Sequence, residues 1–515
     1  MFEVVAEDLL GRIGRLKTKS GKKVETPVFL PVINPIVQDI PARWMDENLK
    51  AKIVITNAYI MYKRLREEAL KNGVHRILDF DGVVMTDSGG YQILEYGEVE
   101  ATPEEIALFE EDIKTDIAVP LDVPTGLVGK RPAEETVEKT LKNLEATIKV
   151  LDDRPVRNAL WVGTIQGGVH IALLKKCAEK VKEMDFNLYA LGSPTPLMER
   201  YQFTKLFEMI IATRSVIEYG KPLHLFGAGH PMIFSFIVAL GVDMFDSASY
   251  YLYARDGRYI TETGTLRLEN MDYLPCLCPV CSKTSIEELR ELPHKERVMI
   301  LAKHNLYVCF KEIAEIKQAI RDGRLMELLE IRARSHPDVY QGFREIVNNE
   351  ELIKSMEDHT PIYSRRGLKI FDGLSLRRPE IRRAKNRLLE NIFKERSKKK
   401  AVLVPYTMKI SSQKIGKILH EGNLSEYDIL LYGSPYGLIP IQIRYVYPFS
   451  QTDFPQNLIL EDEVIDSIIK QISTAGYVEI IIIEARSPYL KETVNKILER
   501  LVGKVDVEIK LITLG

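Results

Sequence analysis

From residue 24 onward, eight short apolar runs alternate with amphipathic stretches, and nearly every run ends in a polar or glycine-rich tail. The runs are VETPVFLPV (24–32), IVITNA (53–58), VVMTDSGG (83–90), DIAVPLD (116–122), LWVGTIQGG (160–168), LYALGS (188–193), PLHLFGAG (222–229) and VDMFDSAS (242–249). Between most of them lie helical patterns such as HIALLKKCAEKVKEM (170–184) and TKLFEMIIATRSVIEYG (204–220). Strands that are almost continuously apolar must be buried on both faces, which a parallel sheet covered by helices provides. Eight such units are the count for a closed (β/α)8 TIM-like barrel, although an open doubly wound sheet gives a similar pattern. Active sites of such barrels are assembled from strand carboxyl ends, so the polar tails are expected to converge on one mouth.

At 515 residues the chain is too long for one ordinary core, and about two to four domains are expected. No apolar run reaches the ~20 residues of a membrane span. The amino terminus, MFEVVAEDLLGRIGRL, carries early acids and no continuous apolar segment. Neither a membrane association nor a secretory leader is therefore expected. The net charge of −2 gives no argument for nucleic-acid binding, which would need a local patch.

Three of the five cysteines fall within six residues, Cys276-Leu277-Cys278-Pro279-Val280-Cys281, and His304 follows in Ala302-Lys303-His304-Asn305-Leu306. Three thiolates and one imidazole complete a tetrahedral set for one structural zinc ion per chain, leaving no position open for water. Clustered thiols with metal spacing and no disulfide framework point to a reducing, cytoplasmic interior. Such a site explains folding and not catalysis. The segment follows the last strand-like run, so it is expected as an insertion packed beside the barrel.

Three aspartates stand at strand ends: Asp87, Asp122 and Asp246. Paired carboxylates at a barrel mouth suit chemistry at a sugar anomeric carbon, one attacking or shielding an oxocarbenium-like centre while the other handles protons. Metal binding by the same acids is the rival reading, but the mouth lacks a histidine cluster; His230 reads as a helix-start residue. Gln166 beside Gly167 and Gly168 offers an amide next to bare backbone, suited to the edge of a flat heterocycle. Tyr91 and Phe226 are placed to sandwich such a ring, or to belong to the core.

At these residues the sequence resembles the tRNA-guanine transglycosylases. The matching strings are TDSGGYQ (86–92), IQGG (165–168), MFDSAS (244–249) and the C-x-C-x2-C with its HNL histidine, in family order over roughly residues 1–310. The resemblance implies a zinc-bearing barrel enzyme that exchanges a genetically encoded guanine of tRNA for a 7-deazaguanine. It implies Asp246 as the nucleophile that bonds to the ribose and Asp87 as the general acid/base. Ser88, Asp122, Gln166 and Gly192 match positions that hydrogen-bond the incoming base, and Tyr91 and Phe226 match those that stack on it. The loop LGSPTPLME (191–199) and the carboxyl-terminal strings YGSPYGLIP (432–440) and YPFSQ (447–451) are similar to the archaeal type. That type acts on guanine 15 of the D-arm with 7-cyano-7-deazaguanine, on the route to archaeosine. The resemblance also implies a homodimer paired near the zinc. Two other readings stay open: an archaeosine-synthase-like paralogue and a non-catalytic RNA-binding subunit. Both sit poorly with the retained pair Asp87 and Asp246.

The expected division is a catalytic barrel with its zinc site (276–304) over 1–345, a helical basic connector over 346–400, and a smaller α/β domain over 401–515. Residues 376–400 hold eleven Lys or Arg against three Glu, either a solvated linker or an RNA-binding face. The carboxyl-terminal domain is read from AVLVPYTMKI, DILLYG, IPIQIRYVYP and VEIIIIEARS as strands, with SSQKIGKILHEG and LKETVNKILERLV as helices. No PUA domain is recognisable after it. Either a separate PUA-domain protein supplies that RNA-binding module, or the basic run and residues 401–515 bind the tRNA themselves.

Overall fold

The computed structural model describes residues 2–90, 101–406, 424–455, 462–484 and 487–513. The chain divides into two compact units, Met1–Ile346 and Val347–Gly515. Among the described residues, no helix is long and apolar enough to cross a membrane.

The first unit opens with an antiparallel meander of β1 (Phe2–Asp8), β2 (Gly11–Lys17) and β3 (Lys23–Thr26). Eight strands follow: β4 (Val28–Ile33), β5 (Ile53–Asn57), β6 (Val83–Asp87), β7 (Ile117–Ala118), β8 (Leu160–Ile165), β9 (Leu188–Leu191), β10 (Leu223–Leu225) and β11 (Met244–Ser247). They close into a barrel in sequence order, and β11 pairs in parallel with β4. That closing ladder excludes the open sheet. The run at 24–32, expected as one strand, is two. Pro27 has no N–H to continue a ladder, and the chain leaves the meander there to enter the barrel.

The pleat gives each barrel strand one inward row. Val28 and Leu30, Ile53 and Ile55, Val83 and Met85, Leu160 and Val162, and Leu188 and Ala190 point into a common cluster with Met244. Leu16 and Val24 of the meander join the same cluster, so the meander stops the amino-terminal end of the barrel. A buried ion pair fastens this plug. Arg12, 1% exposed, donates from Nε and Nη2 to the two oxygens of Asp243 at 2.7 and 2.8 Å. Asp243 stands immediately before β11 and also accepts the Leu223 N–H at 2.8 Å, so the pair ties β2 to the starts of β10 and β11.

After β11 come the helix Ser249–Arg255, the hairpin β12 (Arg258–Thr261) and β13 (Gly264–Arg267), the cysteine segment, and the long helix His294–Asp322.

The second unit contains β14 (Leu368–Lys369), β15 (Lys400–Pro405), β16 (Tyr427–Ser434), β17 (Gly437–Pro440), β18 (Thr452–Asp453), β19 (Glu479–Glu484) and β20 (Glu508–Thr513). Five form one sheet in the order β17-β16-β15-β19-β20, parallel except for β17 at one edge. The string IPIQIRYVYP is a strand only as far as Pro440. That residue offers no N–H to extend the ladder, and Ile441–Ile443 turns into a 3-10 helix. The helical string SSQKIGKILHEG lies outside the described residues.

The basic run belongs to this unit's core. Pro379 opens the helix Pro379–Arg387 at its first position, and Ile381, Ala384, Leu388 and Phe393 pack against the sheet residues Ala401, Leu403 and Ile480. Its cations are largely engaged within the unit. Arg383 caps the carbonyls of Glu357, Thr360 and Pro361 at 3.1, 2.9 and 2.7 Å. Arg382 pairs with Glu357 at 2.8 Å, and Arg396 with Asp428 at 2.8 Å. Arg378 is 1% exposed, with Glu380 at 3.1 Å. The run is therefore no free linker: its helix packs into the unit, and many of its cations have partners there.

Because Asp243 is buried against Arg12, Asp243→Ala should leave a guanidinium uncompensated and cost about 3–5 kcal/mol in denaturant unfolding of the first unit. The double variant Arg12→Met/Asp243→Leu should recover most of that loss, since no unpaired charge remains.

Candidate active site and metal centre

The inward rows decide which polar groups reach the mouth. Continuing by twos, 83 and 85 lead to Asp87; 160 and 162 lead through Thr164 to Gln166; 188 and 190 lead to Gly192; 244 leads to Asp246. His224 on β10 and Phe226 just past its end occupy the corresponding positions. Asp122 is the exception. β7 ends at Ala118, and an extended segment through Pro120 carries Asp122 to the same end of the barrel.

The acids at this mouth interact. Asp87 is half-buried at the tip of β6 and accepts the Gly89 N–H at 3.3 Å. Burial, then the charges of Asp122 and Asp246, push its carboxyl up to about 7. Asp122 is 5% exposed, and burial raises its carboxyl to about 6 against the opposing hydrogen bond from Gln166. Asp246 is 8% exposed; its Oδ1 accepts from His224 Nε2 at 2.9 Å and from the Gly227 N–H at 3.2 Å.

Gln166 is fixed in orientation. Its Nε2 donates to Asp122 Oδ2 at 2.7 Å, while Oε1 accepts the Ser193 hydroxyl at 2.9 Å and the Thr125 N–H at 3.2 Å. This pattern settles which end of the amide is nitrogen. Gly192 lies flat against it: a Cβ there would come within 2.1 Å of Gln166 Nε2 and push the amide out of this position. Gly168, at φ +53, runs beside the Gly126 carbonyl, which a Cβ would meet at 2.7 Å. Ser88 is fully buried, and its hydroxyl donates to the Pro120 carbonyl at 3.0 Å, bracing the segment that carries Asp122. Phe226 is half-buried at the mouth, with the His224 ring edge-on at 4.7 Å. His230 accepts the Met232 N–H at 3.2 Å through Nδ1 and so starts the 3-10 turn Pro231–Ile233. Tyr91 lies outside the described residues.

Sequence reasoning missed the residues that hold this set in place. Ser193 and Thr125 orient Gln166, and His224 contacts Asp246. The signal for His224 was present: a histidine in a three-residue apolar strand, two positions before Phe226, shares its inward row. The buried Glu110, whose Oε1 accepts the Thr86 hydroxyl at 2.6 Å just behind Asp87, gave no comparable signal within its helix.

The second cluster is Cys276, Cys278, Cys281 and His304, whose ligand atoms all lie within 4.8 Å of one another. His304 Nδ1 stands 3.3 Å from Cys281 Sγ and 3.7 Å from Cys278 Sγ. Metal–sulfur bonds of about 2.3 Å and metal–nitrogen bonds of about 2.0 Å in a tetrahedron give S···N edges of roughly 3.5 Å. The donors therefore fit a four-coordinate metal ion. Outer contacts aim the imidazole: Nε2 donates to the Ile260 carbonyl at 2.9 Å, and Tyr259 stacks on the ring at 3.6 Å. The Cys278 and Cys281 amides point at Cys276 Sγ and Cys278 Sγ, at 3.3 and 3.5 Å, a donor arrangement that favours thiolates. The neighbouring Asn305 accepts the Ile260 N–H at 2.9 Å and donates to the Tyr250 carbonyl at 3.0 Å.

The family model TGT, described as queuine tRNA-ribosyltransferase, matches residues 8–338. The tRNA-guanine(15) transglycosylase of Aeropyrum pernix is 43% identical over 483 residues, covering 92% of this chain and 91% of that protein. The protein of the same name from Sulfolobus acidocaldarius is 41% identical over 460 residues, covering 89% of each. That of Methanocaldococcus jannaschii is 41% identical over 497 residues, covering 93% of this chain and 73% of that protein. A closed barrel with facing acids at its mouth, a Cys3His cluster beside it, and similarity along nine-tenths of the length agree: the chain belongs to the tRNA-guanine transglycosylase family.

Proposed function

We propose that this protein exchanges guanine 15 of tRNA for 7-cyano-7-deazaguanine through a covalent glycosyl-enzyme, in the cytoplasm and on the route to archaeosine. The observation that carries the reading is the pairing of a raised carboxyl, Asp87, with a hydrogen-bonded carboxylate, Asp246, at one mouth. Two carboxyl groups in such different surroundings can take opposite roles at one pH.

The nucleotide must leave its stack to reach the mouth. A carboxylate oxygen of Asp246 attacks C1′ of the ribose; the C1′–N9 bond breaks and its electron pair departs with guanine. Asp87, carrying its proton, donates it to the departing base. The deazaguanine then enters the vacated pocket and N9 attacks C1′. The ester bond breaks, its electrons return to Asp246, and Asp87 accepts the N9 proton. No water is consumed and no net proton is exchanged. Asp122 is suited to accept the N–H groups of a guanine-like edge, and Gln166, held by Asp122, Ser193 and Thr125, presents an amide beside it. Ser88 supports the Asp122 segment, and Gly168 and Gly192 keep the pocket floor free of side chains. Phe226, with Tyr91 as the expected partner, is suited to stack on the base.

The metal is proposed to be one structural zinc ion, because three thiolates and an imidazole form a closed set of the kind zinc prefers. It supplies folding energy and takes no part in the exchange. Exposed Tyr273 and Leu277 flank the cluster, 85% and 90% accessible, and support pairing of two copies near it. Binding of tRNA by this chain alone or with a separate PUA-domain protein is decided by assaying both.

Incubation with tRNA transcript and labelled 7-cyano-7-deazaguanine should place label at nucleotide 15. Asp246→Ala should abolish both exchange and the denaturation-resistant RNA adduct; an adduct persisting in that variant would remove Asp246 as the nucleophile. The acid form of Asp87 serves the first step and is lost as pH rises through about 7. Single-turnover adduct formation should therefore fall about tenfold per pH unit above that point. A rate that stays level to pH 9 would exclude Asp87 as the acid. Cys278→Ser should lose the bound zinc, measured by atomic emission, and lower the Tm by about 5 °C or more. One zinc per chain and an unchanged Tm would refute the ligand set.

A further inference from the structure

The Asp246 carboxylate is held asymmetrically. Its Oδ1 takes both hydrogen bonds, from His224 Nε2 at 2.9 Å and from the Gly227 N–H at 3.2 Å. Among the described residues Oδ2 has no such bond, and the side chain keeps 11% of its surface open at the mouth. His224 is 1% exposed and its Nδ1, also buried, has no hydrogen-bond partner among the described residues. These facts fix the tautomer. A carboxylate oxygen can only accept, so Nε2 carries a proton. A second proton on Nδ1 would be buried without an acceptor, so Nδ1 carries the lone pair.

We propose that His224 is the positioning residue of the nucleophile: as a neutral Nε2–H donor it works with the Gly227 amide to pin Oδ1 of Asp246 and leave Oδ2 as the attacking oxygen. This rests on the reading of Asp246 as the nucleophile.

A neutral donor suits both halves of the exchange better than a cation would. An imidazolium beside Asp246 would stabilise the carboxylate strongly and blunt its attack. Once the glycosyl ester forms, the carboxylate charge is gone, and a cation would be stranded in a dry pocket. A neutral N–H keeps a usable bond to the ester oxygen at no such penalty. The pin also limits the carboxylate's rotation about its last bond, so Oδ2 is presented in one direction before the ribose arrives. The ring of Phe226 against the edge of His224, 4.7 Å between centres, limits the imidazole in turn.

The test compares variants by where they can place a donor. Gln can bring an amide N–H to the place of Nε2; Asn reaches only to the place of Nδ1; Leu has none. Exchange of labelled guanine into tRNA is measured with the full chain, giving kcat and KM for each substrate, together with the single-turnover rate of adduct formation. His224→Leu and His224→Asn should both lose roughly 10- to 100-fold in kcat, the rate equivalent of one hydrogen bond to a charged group, with KM changed less than about threefold. His224→Gln should stay within about fivefold of the unmodified protein. If His224→Leu does not fold, the Gln and Asn variants decide alone. Equal losses in Gln and Asn, an effect confined to KM, or a Leu variant within about twofold of the unmodified protein would each overturn the proposal. Asp246→Ala is run beside them: an adduct in that variant would sink the nucleophile assignment itself, whereas its loss with His224→Asn fully active would sink only the role of His224.

Discussion

A strand in a closed parallel barrel has one row of side chains that can face the axis, and the pleat repeats that row every second residue. Most of what stands at the mouth of this protein follows from that rule, Asp122 being the exception. Apolar residues fill most of the row along the lower strand, and the residues on it where the strand ends face the mouth. Asp87, Gln166, Gly192 and Asp246 stand on these rows at or just past the strand ends, and they meet because their strands belong to one closed cylinder. The amino-terminal meander keeps the rule effective, with Leu16 and Val24 filling one end and the Arg12–Asp243 pair tying that plug to the start of β11. The site opens at one end because the other is stopped.

Convergence has an electrostatic price. Asp87, Asp122 and Asp246 are brought into a partly dry space in which they cannot all ionise with ease. Asp87 feels both other charges besides its burial, and its carboxyl rises to about 7. Asp246 has donors from His224 and Gly227, and Asp122 has the Gln166 amide. The acids are thus distinguished by the hydrogen-bond donors each receives, and not by their residue type.

How far the sequence could be read follows the same physics. The barrel strands were legible because double-sided burial leaves an apolar run with an abrupt polar end, and the cysteine segment because metal geometry demands its spacing. The break at Pro27 was hidden, since Val24 and Val28 are both apolar although one belongs to the meander and the other to the barrel. His224 was hidden by its strand: one polar residue in PLHLFGAG looks like an interruption until the inward row is counted. The partners of the basic run were hidden because charge counts carry no information about them. Arg378, Arg382, Arg383 and Arg396 satisfy carbonyls and carboxylates that lie outside the run. Pattern reveals what is local or periodic, and pairing across the chain stays invisible to it.

The adjacent residues His304 and Asn305 show what the metal segment means for the rest of the unit. His304 turns one nitrogen to the cysteines and the other to the Ile260 carbonyl, while Asn305 holds the Ile260 amide and the Tyr250 carbonyl. Tyr250 in turn gives its hydroxyl to the Val32 carbonyl on β4, the strand that pairs with β11. One turn of helix thus reads the metal cluster on one side and the seam of the barrel on the other. The cysteine segment is consequently no detachable ornament: through Asn305 and Tyr250 it is fastened to β4 at the joint where the first and last barrel strands meet.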